Sequence, residues 1–356
     1  MFNGIFGKFS RDLGIDLGTA NTLVCCRDKG IIINEPSVVA INTRSGQILA
    51  VGNSARDMIG KTPPHIQTVK PLVNGIISDF EVTEKMLRYF IERAHKDGLS
   101  FLPRPRVVIG VPLDLTEVER KAVEDAVINA GAREVFLVEE PMAAAIGARL
   151  PITEPVGNMI VDIGGGTTEI AVISLSGVVS WRCLPIAGEE FIKNIVQFAR
   201  ERFNLLLGEK VAEAIKIRIG SATELPEALT MEMRGRDMLT GLPKEIMVTD
   251  AQIREALARS VGVIVENVKA TLESTPPELV ADIYERGIVM TGGGSLLMGL
   301  DKVISRAAEI PVRVADDPLT CVVRGTGMLL DTPELLGNIA LPSSQENEKE
   351  RRTMPV

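Results

Sequence analysis

The chain is poor in the residues from which many reactive sites are built. Histidine occurs twice, His65 and His95, each among polar or turn-forming neighbours. A Ser-His-Asp triad or a histidine-based metal site therefore has little to draw on. The four cysteines, Cys25, Cys26, Cys183 and Cys321, show no metal-ligand spacing. Cys25 and Cys26 are adjacent, so in a strand they point to opposite faces. They read as reduced cytosolic thiols serving as small apolar residues. No apolar run approaches the ~20 residues of a membrane-spanning helix. No G-x-x-x-x-G-K-S/T run is present, which excludes a P-loop. Lys and Arg nowhere cluster, and a net charge of −8 argues against a nucleic-acid surface.

What the chain has in quantity is material for burial. Its 356 residues are 45% hydrophobic, which exceeds the needs of one ordinary core and suits two domains. The most informative feature is a repeat. Leu13-Gly14-Ile15-Asp16-Leu17-Gly18-Thr19-Ala20-Asn21-Thr22 returns in altered form as Ile160-Val161-Asp162-Ile163-Gly164-Gly165-Gly166-Thr167-Thr168-Glu169. Each copy is an apolar strand, an Asp, a turn of small residues, hydroxyl residues and a second apolar strand. That predicts two β-hairpins whose turns let backbone N–H groups approach phosphate oxygens. An Asp at the end of each first strand suits a Mg²⁺ held against those phosphates, directly or through water. One such hairpin is weak evidence; two, in a duplicated architecture, point to a nucleotide clamped between two related domains.

Strands alternate with helices in both halves, which implies mixed sheets flanked by helices. Gly30 to Ile41 reads as one strand and Gln47 to Val51 as another. Helical periodicity covers Thr83 to Lys96, and a loop bearing Leu99, Phe101 and Leu102 follows. The pattern gives domain I over 12–150, with a small subdomain at about 34–73 and completion by about 320–342. Domain II covers 151–319, with a small subdomain at about 189–250, and the polar tail 343–356 has the composition of a disordered segment. In the N-terminal segment 1–11, Phe2, Ile5, Phe6 and Phe9 fall at helical spacing beside Lys8 and Arg11. Such a segment suits a bilayer interface; the alternatives are packing onto its own domain and fraying. The Phe101–Leu102 loop is either a cap on the core or a second membrane contact.

Two further features carry chemistry. Gly292-Gly293-Gly294 follows a strand and is expected to open a helix, a place where backbone lies flat against an adenine or ribose. Glu140, before Pro141, suits the first turn of a helix. Its plain role there is favourable charge at a helix N-terminus, worth ~0.3–1 kcal/mol. Its chemical role is to orient a water in line with a γ-phosphate, since phosphoryl transfer needs positioning more than a strong base. Glu139 competes with it, because successive residues in a strand face opposite ways.

Several of these stretches resemble the MreB family of bacterial actins. They are Asp16 to Thr22, Asn34-Glu35-Pro36-Ser37-Val38-Val39, Glu139-Glu140-Pro141-Met142-Ala143-Ala144-Ala145, Val161 to Glu169, Thr275-Pro276-Pro277-Glu278-Leu279 and Thr291-Gly292-Gly293-Gly294-Ser295. The hairpins alone identify only the actin, Hsp70 and sugar-kinase superfamily; the Glu-Pro-Met-Ala-Ala-Ala and Thr-Pro-Pro-Glu-Leu stretches are more specific. The resemblance implies an actin-like two-domain α/β fold, two duplicated ribonuclease H-like mixed sheets with flanking helices, and a nucleotide in the interdomain cleft. It implies a slow ATPase that polymerises, in paired protofilaments, on the inner face of the cytoplasmic membrane and organises cell-wall synthesis to maintain rod shape. MreC, MreD and RodZ are the partners it implies.

By the same resemblance, ATP or ADP phosphates are held at Gly18, Thr19, Ala20 and Asn21 and at Gly164, Gly165, Gly166 and Thr167. Asp16 and Asp162 serve Mg²⁺, and Glu140 with Thr167 positions the attacking water. Glu213 and Lys216 border the ribose and base; Gly292, Gly293, Gly294, Ser295 and Leu296 form the adenosine loop. Membrane binding falls to Phe2, Ile5, Phe6 and Phe9 or to Phe101 and Leu102. The chain departs from the family where Gly188-Glu189-Glu190-Phe191-Ile192-Lys193 stands for a usual Gly-Asp-x-Met-Asp, and where Asn74 replaces an Asp before Gly75. Rival readings are a small-molecule kinase of the superfamily, for which no acceptor pocket or added base is evident, a chaperone, for which the tail after Leu341 is short, and a nucleotide-binding scaffold without turnover.

Overall fold

The computed structural model describes residues 11–96 and 104–342. Phe2, Ile5, Phe6, Phe9, Phe101, Leu102 and the tail 343–356 lie outside the described residues. The chain divides into two compact units, one of residues 1–152 with 320–356 and one of residues 153–319.

Unit 1 begins with β1 (Leu13–Leu17), β2 (Asn21–Cys26) and β3 (Gly30–Pro36). A small sheet follows, from β4 (Val39–Asn42), β5 (Ile48–Val51), helix α1 (Asn53–Arg56) and β6 (Ile66–Val69). The short hairpin β7 (Leu72–Val73) and β8 (Ile76–Ile77) leads to α2 (Phe80–Ala94), β9 (Arg106–Val111), α3 (Glu117–Asn129), β10 (Glu134–Glu139) and α4 (Glu140–Gly147). Unit 2 holds β11 (Asn158–Ile163), β12 (Thr168–Ser174), β13 (Gly177–Leu184), α5 (Gly188–Phe203), β14 (Leu205–Leu206) and α6 (Glu209–Ile219). Then come β15 (Thr230–Asp237), β16 (Pro243–Thr249), α7 (Asp250–Glu273), α8 (Pro277–Arg286), β17 (Ile288–Thr291), α9 (Leu300–Ala308) and β18 (Val312–Val314). The chain returns to unit 1 for α10 (Cys321–Asp331) and α11 (Pro333–Ile339).

The two main sheets share one topology. Unit 1 runs β3-β2-β1-β9-β10 and unit 2 runs β13-β12-β11-β17-β18. In both, the first three strands form antiparallel pairs and the last two join in parallel. Asp16 and Asp162 therefore occupy the same place, near the end of the central strand.

Strand alternation divides each central strand between two faces. In unit 1, Leu13, Ile15 and Leu17 join a core with Met86, Leu87, Phe90 and Ile91 of α2 and Val123 and Val127 of α3. Gly14 and Asp16 face the other way, where α10 lies almost backbone to backbone. A Cβ on Gly14 would sit 2.7 Å from the Thr326 hydroxyl, and one on Gly325 would sit 1.8 Å from the Ala143 carbonyl oxygen of α4. Gly147 makes the reciprocal approach, its Cβ position being 1.9 Å from the Cys321 carbonyl oxygen. A methyl group has no room at such a crossing, because backbone atoms cannot move aside individually. Gly325→Ala is expected to cost about 3 kcal/mol of stability, seen as a lowered midpoint in a thermal melt; an unchanged midpoint would contradict the close crossing.

In unit 2, Met159, Val161 and Ile163 pack against Phe191 and Ile195 of α5, Ile264 and Val268 of α7 and Ile304 of α9. Helix ends are fixed by local chemistry: Thr116 and Thr249 each close a capping box, with Glu119 and Gln252, and open α3 and α7.

The stretch from Gly30 to Ile41 is two strands rather than one. Pro36 has no N–H to continue the ladder, and the chain turns at Ser37 and Val38, where Val38 N–H donates to the Pro36 carbonyl. His95 lies in the turn that ends α2, as expected, and is buried there: its Nδ1 lies 2.8 Å from the Ile91 carbonyl oxygen, and its Nε2 accepts from Arg11 N–H at 3.2 Å.

Candidate functional site

In unit 1 the hairpin β1–β2 closes through Gly18, Thr19 and Ala20. Gly18 is required there, since a Cβ would meet the Asn21 carbonyl oxygen at 2.7 Å. The turn is tied to two other segments. Ser37 N–H donates to the Ala20 carbonyl at 3.0 Å, and Ser37 Oγ donates to the Gly18 carbonyl at 2.7 Å. Gly75 N–H donates to Thr19 Oγ1 at 2.8 Å. Gly75 and Asn74 both have positive φ, 75° and 49°, and connect β7 to β8 as a two-residue turn. Asn-Gly suits that conformation well, which gives a local reason for Asn at position 74.

Glu140 belongs to the same neighbourhood. It is the buried first residue of α4, directly after β10, with Pro141 in the first turn. Glu139 ends the strand and precedes the helix, so the choice between the two acids is not made by strand alternation. A Cβ on Gly110 would stand 3.3 Å from Glu140 Cγ, and Gly110 is the β9 partner of Asp16. Gly110 thus leaves room over β9 for the Glu140 side chain, at the β9 position paired with Asp16. Burial raises the Glu139 carboxyl above the usual range, opposed by the charge of Arg120.

Unit 2 repeats the arrangement with other atoms. Gly164 N–H donates to the Thr167 carbonyl at 2.9 Å and closes the turn. The start of α5 lies against it: Gly188 N–H donates to the Gly164 carbonyl at 3.1 Å, and Glu189 N–H to the Gly165 carbonyl at 2.8 Å. From α6, Lys216 Nζ donates to the Gly188 carbonyl at 3.2 Å. Burial lowers the Lys216 amine, while the charges of Glu213 and Glu189 favour its ammonium form.

The glycine run after β17 presses on the end of β11. A Cβ on Gly292 would lie 2.3 Å from the Ile163 carbonyl oxygen and 2.9 Å from Asp162 Oδ1, and one on Gly294 would lie 2.3 Å from Ile163 Cγ2. Gly292 also has φ of 77°. The run forms a 3-10 turn over Gly293–Leu296, and α9 begins only at Leu300 after Gly299. The glycines open a helix as expected, of the 3-10 type and four residues long, and positive φ at Gly292 and again at Gly299 separates it from β17 and from α9. Ser295 Oγ donates to the Gly292 carbonyl at 2.6 Å, and Leu296 is half-exposed.

Unit 1 therefore brings together Asp16, Gly18, Thr19, Ala20, Asn21 and Glu140. Unit 2 brings together Asp162, Gly164 to Thr167, Lys216 and Gly292 to Ser295, with exposed Glu213 one helical turn from Lys216. Gly110, Ser37, Gly75 and Thr291 also shape these sites. A glycine inside the apolar strand Arg106–Val111 is the signal that marks Gly110; nothing local marks the others.

Asp162 is the test for a cation. Its carboxyl is buried, burial pushes its pKa up to about 6, and the Thr291 hydroxyl opposes that shift. Oδ1 has no hydrogen-bond partner among the described residues. A buried carboxylate oxygen with no donor, beside a glycine that leaves space in front of it, fits a hard cation or its bound water.

The profile of the family described as MreB/Mbl protein matches residues 10–338. Over 336 residues the chain is 50% identical to the cell shape-determining protein MreB of Escherichia coli (strain K12), with 93% of this chain and 96% of that protein aligned. It is 49% identical over 330 residues to the cell shape-determining protein Mbl of Bacillus subtilis (strain 168), with 92% and 98% aligned. Among solved structures, MreB5 of Spiroplasma citri bound to ADP superposes with a TM-score of 0.87 at 36% identity, covering 93% of this chain and 98% of that one. The two-unit α/β architecture is the actin-like fold.

Proposed function

Because the chain belongs to the MreB/Mbl family, we propose that it is an actin-like ATPase that assembles into membrane-associated filaments and takes part in determining cell shape. The observation that carries the nucleotide reading is the duplicated Asp-and-turn arrangement, at the same topological place in both units. The ADP named with the Spiroplasma relative supports it.

In this reading one nucleotide is shared by the two turns. The amides of Gly18 to Asn21 and of Gly164 to Thr167 bind phosphate oxygens, and Gly292 to Leu296 with Glu213 and Lys216 takes the adenosine. Asp16 and Asp162 hold Mg²⁺, which when bound neutralises charge on the phosphates. Glu140, steered by Gly110 and the helix start, and Thr167 orient the attacking water. Filaments require complementary patches on successive copies, and a head-to-tail contact of unlike patches propagates without closing. Membrane contact through Phe2, Ile5, Phe6 and Phe9 or Phe101 and Leu102, location on the inner face of the cytoplasmic membrane, and partnership with MreC, MreD and RodZ belong to the same proposal.

Sedimentation of the purified chain with ATP tests the assembly. Pelleting with ATP and none without nucleotide is expected; a chain that stays in the supernatant at high concentration would contradict it. Deleting Met1 to Phe9 is expected to reduce co-flotation with anionic liposomes severalfold, and undiminished flotation would remove the N-terminal segment from the membrane contact.

A further inference from the structure

Ser37 lies fully buried just after β3 and is not among the residues assigned above to phosphate, magnesium or adenosine. Its bonds nevertheless fix the first turn. Ser37 Oγ donates to the Gly18 carbonyl at 2.7 Å, so the 2.9 Å contact between Ser37 Oγ and Thr22 Oγ1 has Thr22 as donor. Ser37 N–H donates to the Ala20 carbonyl. One residue therefore holds two of the turn's carbonyls on one side. In a trans peptide the C=O and the following N–H point in opposite directions. Holding the Gly18 and Ala20 carbonyls accordingly aims the Thr19 and Asn21 amides to the other side, as a two-donor cradle for an anion.

Unit 2 contains an independent counterpart. The Gly164 carbonyl occupies the place of the Gly18 carbonyl, and it is held by Gly188 N–H at the start of the element after β13. Glu189 N–H holds the Gly165 carbonyl beside it. Thr168, the counterpart of Thr22, donates to the Ile186 carbonyl at 2.6 Å. In each unit the segment following the third strand clamps the turn's carbonyls. Unit 2 does so with two backbone amides at a helix start; unit 1 has no helix there and uses one serine for both bonds.

We propose that Ser37 is a positioning residue for phosphate binding, holding the Gly18 and Ala20 carbonyls so that the Thr19 and Asn21 amides face the nucleotide. This rests on the nucleotide reading above. Ser37→Ala removes the clamp on Gly18; Thr22→Val removes a buried hydrogen bond from the same cluster but leaves that clamp. Both are expected to melt at similarly lowered temperatures.

Calorimetric titration of each full-length variant with Mg-ATP separates the two roles. Ser37→Ala is expected to weaken affinity roughly tenfold, and Thr22→Val to stay within about twofold of the parent. If Ser37→Ala does not fold, Ser37→Cys, of similar shape with a poor donor, is expected to show the same direction of loss. Unchanged affinity in the Ser37 variant, or equal loss in Thr22→Val, would overturn the proposal while leaving the nucleotide reading intact. Failure of the parent chain to bind Mg-ATP would overturn both.

Discussion

At pH 7.5, without nucleotide or magnesium, Asp162→Asn is expected to melt roughly 5 °C above the parent chain. The carboxyl's ordinary pKa is 3.8, and burial raises it to about 6 in the folded protein. Between about pH 4 and pH 6 the folded state thus keeps a proton that the unfolded chain has released. Stability of the metal-free protein falls as pH rises through that window and is level above it. The two-unit difference corresponds to about 3 kcal/mol, an upper figure because the buried amide of Asn brings its own unmet hydrogen bonds. At pH 4 the gain should vanish, since the parent carboxyl is then protonated in the folded state. If Asp162 serves the cation as proposed, adding Mg-ATP should stabilise the parent more than the variant, because an amide lacks the charge with which a carboxylate attracts a cation. Equal melting of variant and parent at both pH values would contradict the raised pKa, and a full magnesium-dependent gain in the variant would contradict the cation role.

The second large effect falls on turnover. Glu140→Ala is expected to lower ATP hydrolysis about a hundredfold while leaving Mg-ATP affinity near that of the parent. Glu140 starts its helix in a buried position, and its Cγ lies against Gly110, the β9 partner of Asp16. In the proposed role Glu140 orients water and does not hold phosphate, so its loss is expected to slow turnover and spare binding. Glu139→Gln, one residue earlier and outside that path, is expected to keep the parent rate. Equal turnover in the Glu140 variant would favour a nucleotide-binding scaffold without hydrolysis. Assaying filament formation alongside shows whether assembly needs hydrolysis or only the bound nucleotide.

The fold class was legible because both halves carry strong local signals. Apolar strands around an Asp-and-glycine turn and helical periodicity both act within a few residues of where they are read. The family resemblance was legible for the same reason, in contiguous motifs. What escaped notice depends on contacts far apart in sequence. Ser37 matters through Gly18 and Ala20, Gly75 through Thr19, and Gly110 through Glu140 and Asp16. The break at Ser37 lies between two apolar stretches, Ile31 to Ile33 and Val38 to Ile41, and Pro36 is the local signal that separates them into two strands. The glycine run after Thr291 marks a helix start but not its 3-10 type, since the run does not reveal which of its members takes positive φ. His95 looked polar by its neighbours and is buried because α2 ends against the backbone of Arg11.

The account turns on two duplicated turns serving a single nucleotide, and stoichiometry tests that most directly. Titration of the full chain with Mg-ATP, repeated with Asp16→Ala and with Asp162→Ala, is predicted to give one site per chain and loss of magnesium-dependent affinity in both variants. Two independent sites, or an Asp16 variant that binds as the parent does, would contradict it.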